Sequence, residues 1–143
     1  MDIDKLKSQL RQDEGFRSKP YNDTVGKCTV GYGRNLDDVG ISIDEAELML
    51  SNDIVKVQSD LDKNLPWWRT LNDVRQLVLA DMCYNMGIGN AKHGLLSFSD
   101  TLRHIQRGEF QSAVDNLQKS LWHQQVGPRA GRLEKMLLTG EYL

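Results

Sequence analysis

A pair of acidic residues near the N-terminus is the strongest candidate for chemistry in this chain. Eight residues separate Glu14 from Asp23, and Thr29 follows after another five. Two facing carboxyl groups, one protonated and one ionised, are what cleavage of a glycosidic bond requires. The acid protonates the leaving oxygen, the other carboxylate activates water or attacks directly, and a threonine hydroxyl can hold that water. Spacing alone leaves open the ordinary alternative that these residues are surface charges.

The other reactive side chains indicate no competing mechanism. The three histidines, His93, His104 and His123, have no metal-ligand spacing, and no nucleophile elbow or dinucleotide-binding pattern occurs. Cys28 and Cys83 belong to no metal-binding or redox motif, so we expect two reduced thiols. The sequence therefore predicts no cofactor and no bound metal.

The segments around the acidic pair indicate how it is held. Apolar residues at helical spacing predict a helix over 2–13, which a glycine stops, so Glu14 lies in its last turn. Turn-forming residues surround Asp23. Residues 28–32 have the pattern of a short strand, and period 2 separates Thr29 from its immediate neighbours. Two glycines in and after this strand permit close approach of a ligand, or simply a tight bend.

The rest of the chain is predicted to be helical. A capping box at Ser42–Glu45 opens a long helix over about 43–63. Asn72 caps a strongly apolar segment, about 73–86, which predicts a central buried helix. Three shorter helices are predicted over 98–106, 109–122 and 128–138. In the Trp67-Trp68 pair we expect one ring to anchor the core and the other to be half exposed, with sugar stacking as the alternative.

Length and patterning predict a mainly helical α+β fold in one domain. A chain of 143 residues suffices for one domain or for two small lobes that share a core. We expect an N-terminal lobe over about 15–42, an interlobe helix over about 43–63, and a helical lobe over about 64–143 that also includes helix 2–13. No apolar run approaches the roughly 18–20 residues that span a bilayer.

The charge of the chain is unevenly distributed. Residues 37–63 contain eight acids and two lysines, a net charge of −6, whereas the whole chain carries −2. The remainder, which includes Glu14 and Asp23, is therefore at +4. This excess suits an anionic polymer weakly and is too small to indicate nucleic-acid binding.

The spacing of the three candidate residues resembles that of the phage-type lysozymes, the endolysins like those of the T-even phages. The surrounding residues match as well, and the resemblance continues along the whole chain. The matching segments are 14–15, Tyr21, 23–24, Gly26, 29–33, 44–47, 72–75, 84–87, 113–117, Trp122 and 128–130. The resemblance implies a lysozyme-like fold, in which a long helix joins a small β-hairpin lobe to a helical bundle.

The resemblance also implies roles for individual residues. Glu14 would be the general acid, Asp23 would activate water or stabilise charge, and Thr29 would position the attacking water. Arg129 matches the arginine that pairs with the catalytic glutamate in the family. Sugar contacts are expected at four residues for which loop, core or capping roles are the alternatives: Asn35, Tyr84, Thr101 and Asn116.

Two departures from the family pattern affect these expectations. Where the family usually has a histidine that pairs with an aspartate on the long helix, this chain has Arg34, and Asp53 matches the aspartate. We therefore predict an Arg34–Asp53 salt bridge. Only seven residues separate Arg34 from Ser42, whereas the T-even lysozymes carry a longer β-rich segment there. We expect a minimal N-terminal lobe and a shallower cleft on that side.

The function implied by the resemblance is that of an endolysin. It would hydrolyse, with inversion, the β-1,4 bond between N-acetylmuramic acid and N-acetylglucosamine in bacterial peptidoglycan. The alternatives are a lytic transglycosylase, which needs no water-activating aspartate, a virion-borne lysozyme, and a non-enzymatic wall-binding module. The N-terminus shows no secretory signal. We therefore expect a monomer made in the host cytoplasm that reaches the wall in the periplasm after holin-type release.

Overall fold

The computed structural model describes residues 1–143 and contains seven α-helices and one small antiparallel sheet. This confirms the predicted mainly helical α+β class. The elements in chain order are α1 (Ile3–Glu14), β1 (Arg17–Asn22), β2 (Cys28–Gly31), β3 (Arg34–Asn35), α2 (Ile43–Asn64), α3 (Asp73–Met86), α4 (Ser99–Gln106), α5 (Phe110–Gln118), α6 (Leu121–Val126) and α7 (Pro128–Thr139). None of these helices combines the length and the apolar composition needed to cross a bilayer.

The chain divides into two compact units, Met1–Met49 and Leu50–Leu143. Helix α2 contributes its first turns to the first unit and the rest to the second. The single domain and the lobe boundaries expected from the sequence, including the assignment of helix 2–13 to the helical lobe, stay predictions.

The sheet of the first unit has the strand order β1-β2-β3, so β1 is an edge strand. The sequence indicated only turn chemistry around Pro20, yet this residue lies within β1. An edge strand tolerates proline, because its outer side needs no N–H donor. The pairing with β2 is irregular between Arg17 and Tyr21, next to this proline, and regular again where Tyr21 faces Thr29.

The start of α2 shows the predicted capping box. The Ser42 hydroxyl accepts a hydrogen bond from the Glu45 N–H at 3.1 Å, and Glu45 Oε1 accepts one from the Ser42 N–H at 2.9 Å. The two residues thus satisfy backbone donors that the helix leaves free at its first turn. The predicted boundary at residue 43 is confirmed.

The core of the second unit is built around α3, as its apolar sequence predicted. Val78, Leu79 and Met82 of this helix are at most 1% exposed. Asn72 caps α3 by accepting a hydrogen bond from the Arg75 N–H. Other fully buried core residues are Leu61, Leu95, Ala113, Leu117, Ala130 and Leu137. The expectation for the tryptophan pair is confirmed, because Trp68 is buried and Trp67 is half-buried against the core.

The predicted helix over 109–122 is wrong as a single element. The structure has two helices there, α5 ending at Gln118 and α6 beginning at Leu121. Ser120 has an extended backbone and its side chain accepts a hydrogen bond from the His123 N–H. A serine in this conformation is an N-cap, and it starts a new helix instead of continuing the previous one.

Candidate active site

Glu14 is the last residue of α1, which confirms the prediction that it lies in the last turn of this helix. Gly15 ends the helix with φ +69°, and its N–H donates to the Arg11 carbonyl at 3.0 Å. The Glu14 carboxyl group lies directly against Gly33, in the tight turn between β2 and β3. A Cβ atom placed on Gly33 would lie 2.5 Å from Glu14 Oε2 and 2.7 Å from Cδ. The position of this carboxylate therefore depends on residue 33 having no side chain.

Asp23 closes the turn between β1 and β2. Its Oδ1 accepts hydrogen bonds from the N–H groups of Val25, at 2.9 Å, and Lys27, at 2.8 Å. Its own N–H donates to the Lys27 carbonyl at 2.9 Å. These bonds all use Oδ1 or the backbone. They fix the carboxylate in the turn while Oδ2 remains available for a water or a substrate.

Thr29 is attached to the same turn through Lys27. The Thr29 hydroxyl donates to the Lys27 carbonyl at 2.9 Å, and the residue is only 2% exposed. Because the hydroxyl hydrogen is used in this bond, the lone pairs of Oγ1 remain to accept a hydrogen bond from a water. The Lys27 carbonyl, which also accepts from the Asp23 N–H, thus joins Asp23 to Thr29. No side-chain pattern signals this role, because it belongs to the backbone.

The predicted Arg34–Asp53 salt bridge is wrong, because Arg34 pairs with Glu45. The two guanidinium Nη atoms each lie 2.8 Å from a Glu45 oxygen, and Nη1 also donates to the Gly40 carbonyl. Asp53 lies eight residues further along α2, about 12 Å by helical rise. Glu45, at the start of the helix, is the acid that the short 35–41 segment brings to Arg34.

The Arg34 pairing changes the acidity of Glu45. Hydrogen bonds from Arg34 and then from Ser42 stabilise the carboxylate, so the pKa of Glu45 falls to about 2. The same hydrogen bond raises the pKa of Arg34. Both groups therefore stay charged over the whole range in which an enzyme works, and the link between the sheet and α2 is an ion pair.

In the second unit Arg129 is bound by Asp81. Its Nε and Nη2 atoms donate to Asp81 Oδ1 at 3.0 and 2.6 Å. Both residues line a groove of about 350 Å³ together with Tyr84, which is 49% exposed. Sequence reasoning did not single out Asp81, although an acid within the most apolar helix was a usable signal. The groove brings two predicted site residues, Tyr84 and Arg129, together.

The other three predicted sugar contacts are partly or fully occupied in the fold itself, through hydrogen bonds or burial. The Asn35 amide donates to Asp38 Oδ2, and its oxygen accepts from the Asp38 N–H, both at 3.0 Å. This side chain therefore stabilises the turn that it belongs to. Thr101 in α4 is 5% exposed, and Asn116 in α5 is half-buried. Their roles as sugar contacts stay predictions. No cluster of three or more His, Cys, Asp or Glu side chains with metal-binding geometry occurs.

Comparison with known proteins defines the class of this chain. The profile of the family described as phage lysozyme matches residues 11–136. This range contains the Glu14 helix end, the Asp23 turn, Thr29 and Arg129. The chain therefore belongs to the phage lysozyme family, as its sequence pattern indicated, and is by class a glycoside hydrolase.

The curated relatives share different fractions of their own length with this chain. The pre-baseplate central spike protein Gp5 of Enterobacteria phage T4 is 29% identical over 94% of this chain, which spans only 28% of that protein. The probable T4-type lysozyme 1 of Dictyostelium discoideum is 23% identical, with 96% of each chain covered. The SAR-endolysin of Bacteriophage PS119 is 32% identical over 74% of this chain and 62% of its own length.

Proposed function

We propose that the chain is a peptidoglycan lysozyme, an N-acetylmuramidase. It would hydrolyse the β-1,4 bond between N-acetylmuramic acid and N-acetylglucosamine and so lyse the host cell. The observation that carries the proposal is the arrangement within the first unit. Glu14 is held against Gly33 at the end of α1, and the Asp23 N–H and the Thr29 hydroxyl both donate to the Lys27 carbonyl in the adjoining hairpin.

Each residue has a defined part in this reaction. Glu14 donates its proton to the glycosidic oxygen, so that the leaving sugar departs as an alcohol. The free Asp23 Oδ2 accepts a proton from water or stabilises the positive charge that develops on the sugar ring. Thr29 Oγ1 accepts a hydrogen bond from that water and so orients it. From the family resemblance we infer that Arg129, which Asp81 fixes, has a supporting role in the reaction.

The first experiment measures lysis of purified peptidoglycan by Glu14→Gln. We expect loss of activity with an unchanged thermal unfolding curve, because residue 14 is exposed and glutamine has the same shape. Full activity in this variant would refute the assignment of the acid. The products separate the mechanisms. Hydrolysis gives a reducing N-acetylmuramic acid end, whereas a lytic transglycosylase gives a 1,6-anhydro ring, and the anomer formed first distinguishes inversion from retention.

Asp23 needs a variant that leaves its turn intact. Asp23→Asn keeps an oxygen that can accept from the Val25 and Lys27 N–H groups, but removes the charge. We expect this variant to remain folded and to lose activity. Asp23→Ala also removes the turn contacts and serves as the comparison for stability. An active Asp23→Asn would leave the carboxylate without a chemical role.

A wall hydrolase carried on the phage particle is the second candidate. It is supported by the similarity to a baseplate spike protein over almost all of this chain. In the first candidate, the protein is an endolysin that is released through a holin and so reaches the wall in the periplasm. Peptide mass spectrometry of purified particles distinguishes them, because a virion component is present in stoichiometric amount. The timing of lysis with and without the holin tests the other route.

A further inference from the structure

The first unit exposes two aromatic rings, Phe16 and Tyr32, that are close in sequence to Glu14 and to Gly33. Phe16 is 65% exposed and Tyr32 is 50% exposed, and their ring centroids lie 5.5 Å apart with a tilt of 51°. The Arg11 guanidinium lies 6.0 Å from the centroid of the Tyr32 ring. Large aromatic side chains usually bury most of their area. A pair left in water, with a cation at its side, is therefore a feature that needs an explanation.

The position of this pair is defined by its neighbours along the chain. Phe16 follows Glu14 by two residues, and Tyr32 immediately precedes Gly33, against which the Glu14 carboxyl lies. Arg11 precedes Glu14 by three residues, so the two side chains share one face of α1. Arg11, whose guanidinium lies by the Tyr32 ring, thus links the aromatic pair to the helix face that presents the proposed acid.

We propose that Phe16 and Tyr32 form a platform on which a sugar ring of the glycan stacks, with Arg11 facing an acidic substituent of the strand. This rests on the proposed function and extends it to a binding contact outside the predicted sugar residues. The C–H faces of an amino sugar are apolar and suit an aromatic surface. The lactyl and peptide groups of peptidoglycan carry carboxylates, which suit a cation close to the rings.

The surroundings of Tyr32 suit an extended ligand. Its ring also lines a groove of about 660 Å³ in the first unit, together with exposed apolar residues that include Val39, Ile41 and Leu48. Residues 1–49 contain seven basic and ten acidic residues, so the unit as a whole has a formal charge of −3. The feature that suits an anionic glycan is therefore local, namely the Arg11 guanidinium at the Tyr32 ring.

The test measures binding, separately from turnover. The full chain with Glu14→Gln is incubated with insoluble purified peptidoglycan, and the bound fraction is followed against protein concentration. Phe16→Ala and Tyr32→Ala, each in this background, are expected to raise the apparent Kd roughly 3- to 10-fold. Tyr32→Phe keeps the ring and should bind like the parent. Tyr142→Ala removes another exposed aromatic, 63% exposed and in the second unit, and should change nothing.

A second arm separates the sugar from its acidic substituents. Chitooligosaccharide, a neutral polymer of N-acetylglucosamine, should show the loss for Phe16→Ala and Tyr32→Ala but none for Arg11→Gln. Peptidoglycan should respond to all three, and the Arg11 effect should shrink with added salt. Unchanged binding in both ring variants overturns the platform, as does an equal loss for Tyr142→Ala. Self-association of the parent that the ring variants abolish, with glycan binding intact, assigns the surface to a second copy instead.

This design keeps the two proposals distinguishable. If the wild-type protein lyses the wall while the ring variants bind normally, only the platform fails. If the wild-type protein does not turn over peptidoglycan but binding depends on the rings, the platform stands and the proposed hydrolase fails.

Discussion

Gly33→Ala tests whether the position of the Glu14 carboxylate matters for catalysis. The new Cβ would lie 2.5 Å from Glu14 Oε2, 2.7 Å from Cδ and 3.1 Å from Cγ. Ordinary contacts need about 3.5 Å, so the carboxyl group must move by roughly 1 Å. Glu14 is flexible and exposed, so it can swing away without unfolding the protein, but it then leaves its place.

The expected effect on the reaction follows from that displacement. A shift of about 1 Å in a catalytic group lowers the rate on the order of 100-fold, or about 2.7 kcal/mol of activation free energy. We expect the loss in kcat and an almost unchanged KM, because the substituted atom displaces the acid and not the sugar. Turbidity of a peptidoglycan suspension at several concentrations measures both constants.

Gly31→Ala is the matched control. Gly31 has φ +70° and Gly33 has φ +74°, so alanine is strained by about 1–2 kcal/mol at either position. A Cβ on Gly31 meets nothing within 4 Å. Both variants should therefore lower Tm by a similar amount, roughly 3–8 °C. Only Gly33→Ala should lose activity.

Two results would refute this reasoning. One is equal activity of the Gly33→Ala and Gly31→Ala variants, since the contact with Glu14 is then irrelevant. The other is an additive effect of Gly33→Ala in the Glu14→Gln background. If residue 33 acts through the acid, it should have no further effect once the acid is gone.

Three further predictions concern the supports of the site. The pKa of Glu45 is lowered to about 2, so its pair with Arg34 contributes stability above about pH 4.5 that is lost as the pH falls towards 2. In acid-unfolding curves, Glu45→Gln should flatten this pH dependence. An unchanged curve would count against the pairing. Asp81→Asn weakens the Arg129 ion pair, which is about one-third exposed. We expect a Tm lower by roughly 1–3 °C and, at a temperature where the variant is still folded, a clearly lower kcat. Unchanged lysis would argue against a role for Arg129. Leu61→Ala, at a fully buried site, should reduce the free energy of unfolding by about 2–5 kcal/mol in urea titrations, and a loss below 1 kcal/mol would mean that the core of the second unit is not packed there.

Local sequence signals predicted those features whose causes are local. The end of α1 at Glu14 depends on Gly15, the start of α2 on the Ser42–Glu45 capping box, and the start of α3 on Asn72, each within a few residues. The break between α5 and α6 has an equally local cause in Ser120, and it was missed because an apolar pattern at helical spacing runs through it. β1 was missed because proline signals a turn unless the strand lies at an edge.

What the sequence by itself determined is the set of candidate residues, their order, and the family to which they belong. Only the tertiary structure decided which groups meet. It placed Gly33 against the Glu14 carboxyl group and joined Asp23 and Thr29 through one carbonyl. It also paired Arg34 with Glu45 instead of Asp53, and Arg129 with Asp81. The reason is physical. Residue types and spacing fix short-range conformation, whereas a contact across 11, 19 or 48 positions depends on how turns and helices bring their ends together.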